Sequence, residues 1–329
     1  KDIEAAKIWN ELGIDKDRIY FYGREENWWG PAGQTGPCGP DTEIFYDTGK
    51  EPCSTECGPS CNCGKYLEIW NNVFMAYNKD KDGNYTELEQ KNVDTGLGLE
   101  RVLSIMNGNT SVYDTELFEG IIGKIEEVSG KSYNENTARD FRIIADHLRA
   151  ATFVLGDDKA VTPSNVDQAY VLRRLIRRTS RELRKLGVET SKMKDISEVI
   201  IDQYQDVYPE LGRNREFILS ELEKEEQTFN KTLDRGLKAA EKIFDLIGDD
   251  PVLSGGLAFK LYDTFGFPIE LTQELAAEKG KSVDVEGFNN KYREHQEKST
   301  QGAAQKFKGG LADQSEETTK LHTTTHLLN

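Results

Sequence analysis

The stretch YLEIWNNVFMAYN, residues 66–78, decides the fold of the first part of the chain. Its aromatic and β-branched side chains predict one long strand. The dipeptide Asp82-Gly83 follows, and this pair is typical of the tight turn of a β-hairpin. A returning strand is then expected to end at Val93, and the apolar spacing of residues 97–106 predicts a helix after it.

The residues before this hairpin add a further strand to the predicted antiparallel sheet. Residues 43–47 are interpreted as a strand, whereas the Gly- and Pro-rich segment WWGPAGQTGPCGP, residues 28–40, predicts a rigid loop. A short helix is expected near the start and ends at Gly13. We therefore interpret residues 1–108 as an antiparallel sheet with few helices.

From about residue 109 the pattern changes, and apolar residues recur at helical spacing. The patterns cover residues 115–128, 141–155, 172–186 and 218–244. Residues 109–300 are therefore expected to form a helical domain, and the polar, Gly-containing segment 298–320 resembles a linker. The predicted fold class is α+β, with an antiparallel sheet core followed by an all-α domain.

The net charge at first disfavours a nucleic-acid partner. The 329 residues include 42 Lys and Arg against 58 Asp and Glu, a net charge of −16, and phosphate binding needs cations. Residues 137–187, however, hold 11 Lys and Arg against 6 Asp and Glu, which leaves one basic region. No apolar run approaches the roughly 20 residues that cross a bilayer, and no signal peptide opens the chain, so no membrane partner is expected.

The segment NVDTGLGLER, residues 92–101, combines a strand end, a carboxylate, two glycines and a helix start. Gly96 and Gly98 allow a ligand to approach the backbone, and a helix N-terminus favours anions. Asp94 could hold an ammonium group and Arg101 a phosphate. A plain strand-to-helix connection explains the same spacing equally well.

The segment DTGLGLER resembles motif 3 of class II aminoacyl-tRNA synthetases, in the form found in the alanyl-tRNA synthetase family. Four further segments are similar to that family and follow its order along the chain. They are TGPCGP with EI (35–44), LEIWNNVFM (67–75), PSN with YVLRR (163–174) and LYDTFGFP (261–268). Ala169 stands where the family usually has Gly. Five motifs in one order argue strongly against coincidence.

The resemblance implies adenylate chemistry. Alanine and ATP, with Mg²⁺, would form alanyl-adenylate, and the alanyl group would pass to tRNA(Ala). The residues that the resemblance assigns to alanine and ATP are Asp94, Arg101, Asn71, Trp29, Gly96 and Gly98. Trp29 is also well explained as a core residue. The expected partners are tRNA(Ala), alanine and ATP in the cytoplasm, without DNA.

The ends of the chain suggest a part of a longer enzyme. Motifs 1 and 2 of the family would precede residue 1, so we expect the chain alone not to aminoacylate. Residues 301–329 would be a linker and the start of an editing domain, where His322 and His326 resemble an incomplete zinc site. A non-catalytic tRNA-binding protein and an editing protein from the same family are the alternatives.

A row of cations in the helical domain is a candidate RNA contact. Residues 173–185 hold seven Lys and Arg against one acid, including Arg173, Arg174, Arg177 and Arg178. The row is either a solvated helix face or a track for RNA phosphates. The resemblance also implies that Asn165 and Asp263 read a G·U wobble pair in the acceptor stem. Without it, both would be interpreted as turn or cap residues.

Four of the five cysteines lie within eleven residues. They are Cys53, Cys57, Cys61 and Cys63. Four thiolates joined by tight loops can enclose a structural Zn²⁺. Free thiols and a redox pair are the alternatives. A single cluster, rather than cysteines spread over the chain, favours a reducing compartment.

Overall fold

A computed structural model describes residues 3–31 and 33–306. The chain divides into two compact units, and the division falls after Gly120. The first unit contains the sheet, and the second is almost entirely helical. The predicted α+β class is thereby confirmed, while the predicted domain boundaries at residues 108 and 300 stay predictions.

The first unit is built on a four-stranded antiparallel sheet whose strands pair in chain order. They are β1 (Trp28–Trp29), β2 (Gly36–Asp47), β3 (Tyr66–Lys79) and β4 (Tyr85–Leu97). The predicted long strand and hairpin are confirmed, and Gly83 has a φ of 86° in the turn. Helix α1 (Ile3–Glu11) precedes the sheet, and α2 (Leu99–Met106) follows β4.

The prediction that residues 28–40 form only a loop is wrong, because β2 already begins at Gly36. A side chain at Gly39 would overlap the carbonyl of Phe74 in β3, so glycine permits close strand approach here. The register shifts between Cys38 and Asp41, and such a bulge accommodates proline within a sheet. The Gly and Pro residues therefore mark an irregular strand.

The second unit contains the helices that the apolar spacing predicted, together with shorter ones. The remaining helices are α3 (Glu116–Ser129), α4 (Ala138–Gly156), α5 (Asp167–Lys185), α6 (Met193–Tyr204), α7 (Pro209–Arg213), α8 (Arg215–Ile247), α9 (Gly255–Phe265), α10 (Ile269–Glu278) and α11 (Val285–Lys306). Helix α3 spans the division between the units. The short strands β5 (Val252–Leu253) and β6 (Ser282–Val283) form a parallel pair.

The apolar stripes of α4, α5 and α8 form the core of the second unit. Ile144, Leu148 and Ile176 are completely buried, as are Leu222 and Leu233. Burial of each such side chain contributes about 1.5–3 kcal/mol. Among the described residues, no helix combines the length and apolar character needed to cross a membrane.

Candidate functional site

The register of the sheet brings together three residues that the sequence predicted for the alanine and ATP site. Asp94 in β4 pairs with Val73 in β3, and Gly96 pairs with Asn71. Residues two apart on a strand lie on the same face, and directly paired residues share that face. Asp94, Gly96 and Asn71 therefore lie side by side on one face of the sheet.

Two acidic residues of β2 extend this face, and the sequence predictions did not include them. Asp41 and Glu43 pair with Val73 and Asn71, respectively. The Asn71 amide donates to the carboxylates of Asp41 at 3.4 Å and Glu43 at 3.3 Å. The alternation of the strand, which places residues 41 and 43 on one face, was the available signal.

Burial and crowding of acids change the protonation of this cluster. Burial, reinforced by the neighbouring carboxylate of Glu68, raises the pKa of Glu43 to about 7. Burial also raises the pKa of Asp41. Glu43 therefore exchanges a proton near neutral pH, and a nearby cation would favour its ionised form.

A cavity of about 1440 Å³ opens within the first unit beside Asp41 and Glu43, whereas Asp94, Gly96 and Asn71 are not part of its lining. Asp41, Glu43 and Glu68 contribute carboxylates to its lining, and Trp28 and Tyr20 contribute aromatic rings. A mixed lining of this kind suits a ligand that carries both charge and a planar ring.

Trp28, rather than the predicted Trp29, lines this cavity. Its ring lies 5.6 Å from that of Tyr77, centroid to centroid. Trp29 is half-buried and pairs with Gly39 across the β1–β2 ladder. The assignment of Trp29 to the alanine pocket stays a prediction, and Trp28 is a second candidate for that wall.

Several buried polar atoms in this region have no hydrogen-bond partner within the described part of the chain. They are Asp41 Oδ1, Asn71 Oδ1 and Trp28 Nε1. Buried polar atoms are normally satisfied, so each unpaired one requires an explanation. Asp41 and Trp28 line the cavity, so a polar ligand there would supply partners for these two residues.

Arg101 lies at the edge of the same cavity, in the first turn of α2. Its guanidinium donates to the main-chain oxygen of Glu68 at 2.7 Å and lies 3.2 Å from the Glu68 carboxylate. Gly98 caps α2 and donates its N–H to the carbonyl of Ile69 at 3.0 Å. Since the Arg101 side chain is 45% exposed, it can still contact an anionic ligand.

Three of the four predicted zinc ligands form a cluster. The ligand sulfurs of Cys53, Cys57 and Cys63 all lie within 4.8 Å of one another, and the Cys57–Cys63 distance is 3.6 Å. Tetrahedral zinc with bonds of about 2.3 Å separates sulfurs by about 3.8 Å, so the spacing fits this ion. Hydrogen bonding to Cys57 and Cys63 raises the pKa of Cys53 to about 12. Cys61 lies outside this group and lines the cavity instead.

The arginines of α5 do not form the free row of cations that the sequence suggested. The ion pairs join Arg173 and Arg177 to Glu225, Arg174 to Glu270, and Arg178 to Glu274. Arg181, on the same helix, is only 3% exposed and contacts Glu278 at 2.6 Å. The acids lie on α8 and α10, far along the chain from α5, so local sequence could not reveal them. Assignment of the four arginines to RNA phosphates stays a prediction.

Asn165 and Asp263 are both exposed and both lie close to α11. The Asn165 main-chain oxygen is 3.5 Å from the hydroxyl of Tyr292, and Asp263 Oδ1 is 3.5 Å from His295 Nε2. Residues three apart on a helix lie on the same side, about one turn from each other. The structure therefore brings the two predicted base-pair readers to neighbouring positions. His322 and His326 lie outside the described residues.

Comparison with known proteins defines the class of this chain. Residues 1–329 match the family model of class II (A) tRNA synthetases, and the chain belongs to this family. This result confirms the resemblance that the sequence motifs indicated.

Particular relatives are alanine–tRNA ligases. That of Borrelia hermsii (strain HS1 / DAH) is 52% identical over 331 residues, covering 100% of this chain and 56% of the relative. That of Treponema pallidum (strain Nichols) is 51% identical over 333 residues, with 100% and 55% covered. That of Natranaerobius thermophilus (strain ATCC BAA-1301 / DSM 18059 / JW/NM-WN-LF) is 44% identical over 310 residues, with 91% and 35% covered. The chain spans just over half the length of the most similar of these.

Proposed function

We propose that this chain carries part of the site of an alanine–tRNA ligase, which joins alanine to tRNA(Ala) through alanyl-adenylate. The observation that carries the proposal is the sheet face on which Asp94 and Gly96 lie beside Asn71. Membership of the class II family and the identity of the relatives support it. The cavity beside Asp41, Glu43 and Arg101 offers space for ATP.

Asp94, Asn71 and Arg101 each have a distinct part in this chemistry. The Asp94 carboxylate holds the ammonium group of alanine. Asn71 lies near the alanine carboxylate, and its NH₂ group turns from Asp41 and Glu43 to donate to that carboxylate. A carboxylate oxygen of alanine then attacks the α-phosphorus of ATP, and pyrophosphate leaves. Arg101 stabilises the phosphate charge that develops. A hydroxyl at the 3′ end of tRNA next attacks the alanyl carbonyl, and AMP leaves.

The acidic cluster fits the Mg²⁺ that accompanies ATP. Mg²⁺ prefers carboxylate oxygens, and Asp41 Oδ1 is buried without a protein partner among the described residues. Asp41 and Glu43 would hold the ion, and it would neutralise phosphate charge. Separately, Cys53, Cys57 and Cys63 would hold a structural Zn²⁺, since their sulfur spacing suits that ion.

The experiment uses alanine-dependent exchange of pyrophosphate into ATP by the complete protein. Asp94→Asn removes the charge opposite the alanine ammonium group, so KM for alanine should rise about 10- to 100-fold. Asp82→Asn, an exposed carboxylate in the turn of the same hairpin, is the matched control and should change little. An unaltered KM in Asp94→Asn would refute the assignment. Absence of exchange in the unaltered protein would favour a non-catalytic tRNA-binding protein.

Recognition of the tRNA acceptor stem is proposed for Asn165 and Asp263. Their exposure and their common position beside α11 support a joint role in reading one base pair. An amide can donate and accept hydrogen bonds, whereas a carboxylate only accepts. Asn165→Ala or Asp263→Ala should reduce the preference for a G·U over a G·C acceptor stem in aminoacylation by the complete protein.

A further inference from the structure

Arg173 in α5 holds the segment that carries Asn165. One guanidinium nitrogen donates to Asn165 Oδ1 at 2.6 Å, and another donates to the Pro163 carbonyl at 3.2 Å. Its Nε lies 3.3 Å from the carboxylate of Glu225. The side chain is 20% exposed, so most of it is enclosed by these contacts.

The chemistry of a guanidinium dictates the orientation of the Asn165 amide. All guanidinium nitrogens are donors, and none accepts a hydrogen bond. The oxygen of the Asn165 amide must therefore face Arg173, because a flipped amide would oppose donor to donor. This leaves the NH₂ group of Asn165 directed away from Arg173, and the side chain presents donors to its other neighbours.

The same network extends to the turn that follows Asp263. Glu225 accepts a hydrogen bond from Arg177 Nε at 2.7 Å, and Arg177 donates to the carbonyl of Gly266 at the end of α9. Glu225 is only 7% exposed. The buried Glu225 carboxylate therefore contacts both arginines. Arg173 holds the segment that carries Asn165, and Arg177 holds the end of α9, the helix that carries Asp263.

We propose that Arg173 is a positioning residue that fixes the Asn165 amide with its NH₂ group outward, so that the site presents a donor at Asn165 and an acceptor at Asp263. This inference rests on the proposed role of these two residues in reading the acceptor stem. A G·U pair fits this arrangement, because its guanine amino group and its uracil O4 are both free of pairing. In a G·C pair that guanine amino group is paired, and cytosine carries an amino group in place of O4. Arg173 then acts through Asn165 and not as a ligand of an RNA phosphate.

The test compares kcat/KM of the complete protein for tRNAs that carry G·U or G·C at the recognised pair. Arg173→Ala should lower the G·U to G·C ratio about tenfold, because the amide is no longer held. In an Asn165→Ala background, the same change should lower the ratio no further, since Arg173 acts through that side chain. Arg173→Lys retains a cationic donor group, without the fork geometry of a guanidinium, and should restore part of the ratio.

The possible results distinguish failure of the positioning role of Arg173 from failure of base-pair reading by Asn165. An equal loss of kcat/KM on both tRNAs in Arg173→Ala, or an effect that adds to that of Asn165→Ala, would overturn the positioning role. An unchanged ratio in Asn165→Ala would instead refute base-pair reading by Asn165 itself.

A second variant, together with a matched control, keeps the test decisive if Arg173→Ala does not fold. Asn165→Asp still accepts from Arg173 but has no NH₂ group, so it should lose the preference as Asn165→Ala does. A retained preference would overturn the donor assignment. Arg215→Ala, which breaks an ion pair with Asp202 in the same unit, is the matched control and should leave the ratio unchanged.

Discussion

Replacement of Glu225 by alanine should strongly destabilise the helical unit. Glu225 is 7% exposed and pairs with two guanidinium groups, Arg177 at 2.7 Å and Arg173 at 3.3 Å. These arginine side chains are themselves only 12% and 20% exposed. Removal of one member of a buried ion pair costs about 3–5 kcal/mol, because its partner is left buried and uncompensated. Glu225→Gln keeps a hydrogen-bond acceptor and should cost less.

Urea unfolding followed by far-ultraviolet circular dichroism measures this change, because the second unit holds most of the helices. All four tryptophans, at residues 9, 28, 29 and 70, lie in the first unit, so their fluorescence provides an internal reference. Glu241→Ala, at an exposed position of the same helix, is the matched control and should change the free energy of unfolding by less than about 0.5 kcal/mol. A loss below about 1 kcal/mol in Glu225→Ala would refute the reasoning.

Two further predictions concern the first unit. In the folded state the pKa of Glu43 is about 7, whereas its ordinary value is 4.5. Loss of this proton therefore disfavours the folded state, and the tryptophan-monitored free energy of unfolding should fall as pH rises from about 5 to 7. Glu43→Gln should remove about 1–2 kcal/mol of that fall, a figure discounted for partial solvent exposure, and identical pH profiles would contradict it. Metal analysis should find one equivalent of zinc that Cys57→Ser loses and Cys61→Ser keeps. Less than half an equivalent in the unaltered chain would count against the site.

The sheet was predictable wherever side-chain pattern alone determines the strand. Residues 66–78 carry enough aromatic and β-branched side chains to identify β3, and Asp82-Gly83 defines its turn. The start of β2 was not predictable in this way, because Gly39 is explained only by the carbonyl of Phe74 on the neighbouring strand. The local sequence cannot distinguish a glycine that permits a turn in a loop from one that permits close approach of a neighbouring strand.

The candidate site was likewise predictable only where residues close together in sequence determine its chemistry. Asp94 and Arg101 lie in one short motif, so their chemistry could be proposed from spacing. The pKa of Glu43 depends on burial and on Glu68, which lies on another strand. The environment of the α5 arginines depends on Glu225 and on acids of α10, about 50 to 100 residues further along the chain. Net charge over a sequence window therefore overstates the positive surface that these arginines offer to RNA.

Arginine suits these positions of α5 better than lysine, because each side chain contacts several partners in different directions. Arg177 donates to Glu225 and to the Gly266 carbonyl, and its guanidinium lies 5.0 Å from the ring centroid of Phe229. A lysine ammonium is a compact point charge and cannot occupy these three directions with one planar group. Arg173 also contacts three groups: it donates to Asn165 Oδ1 and to the Pro163 carbonyl, and it forms an ion pair with Glu225. Arg173 and Arg177 therefore connect α5 to the two segments that carry Asn165 and Asp263. Their N–H donors fix the positions of these segments, which are proposed to read the acceptor stem.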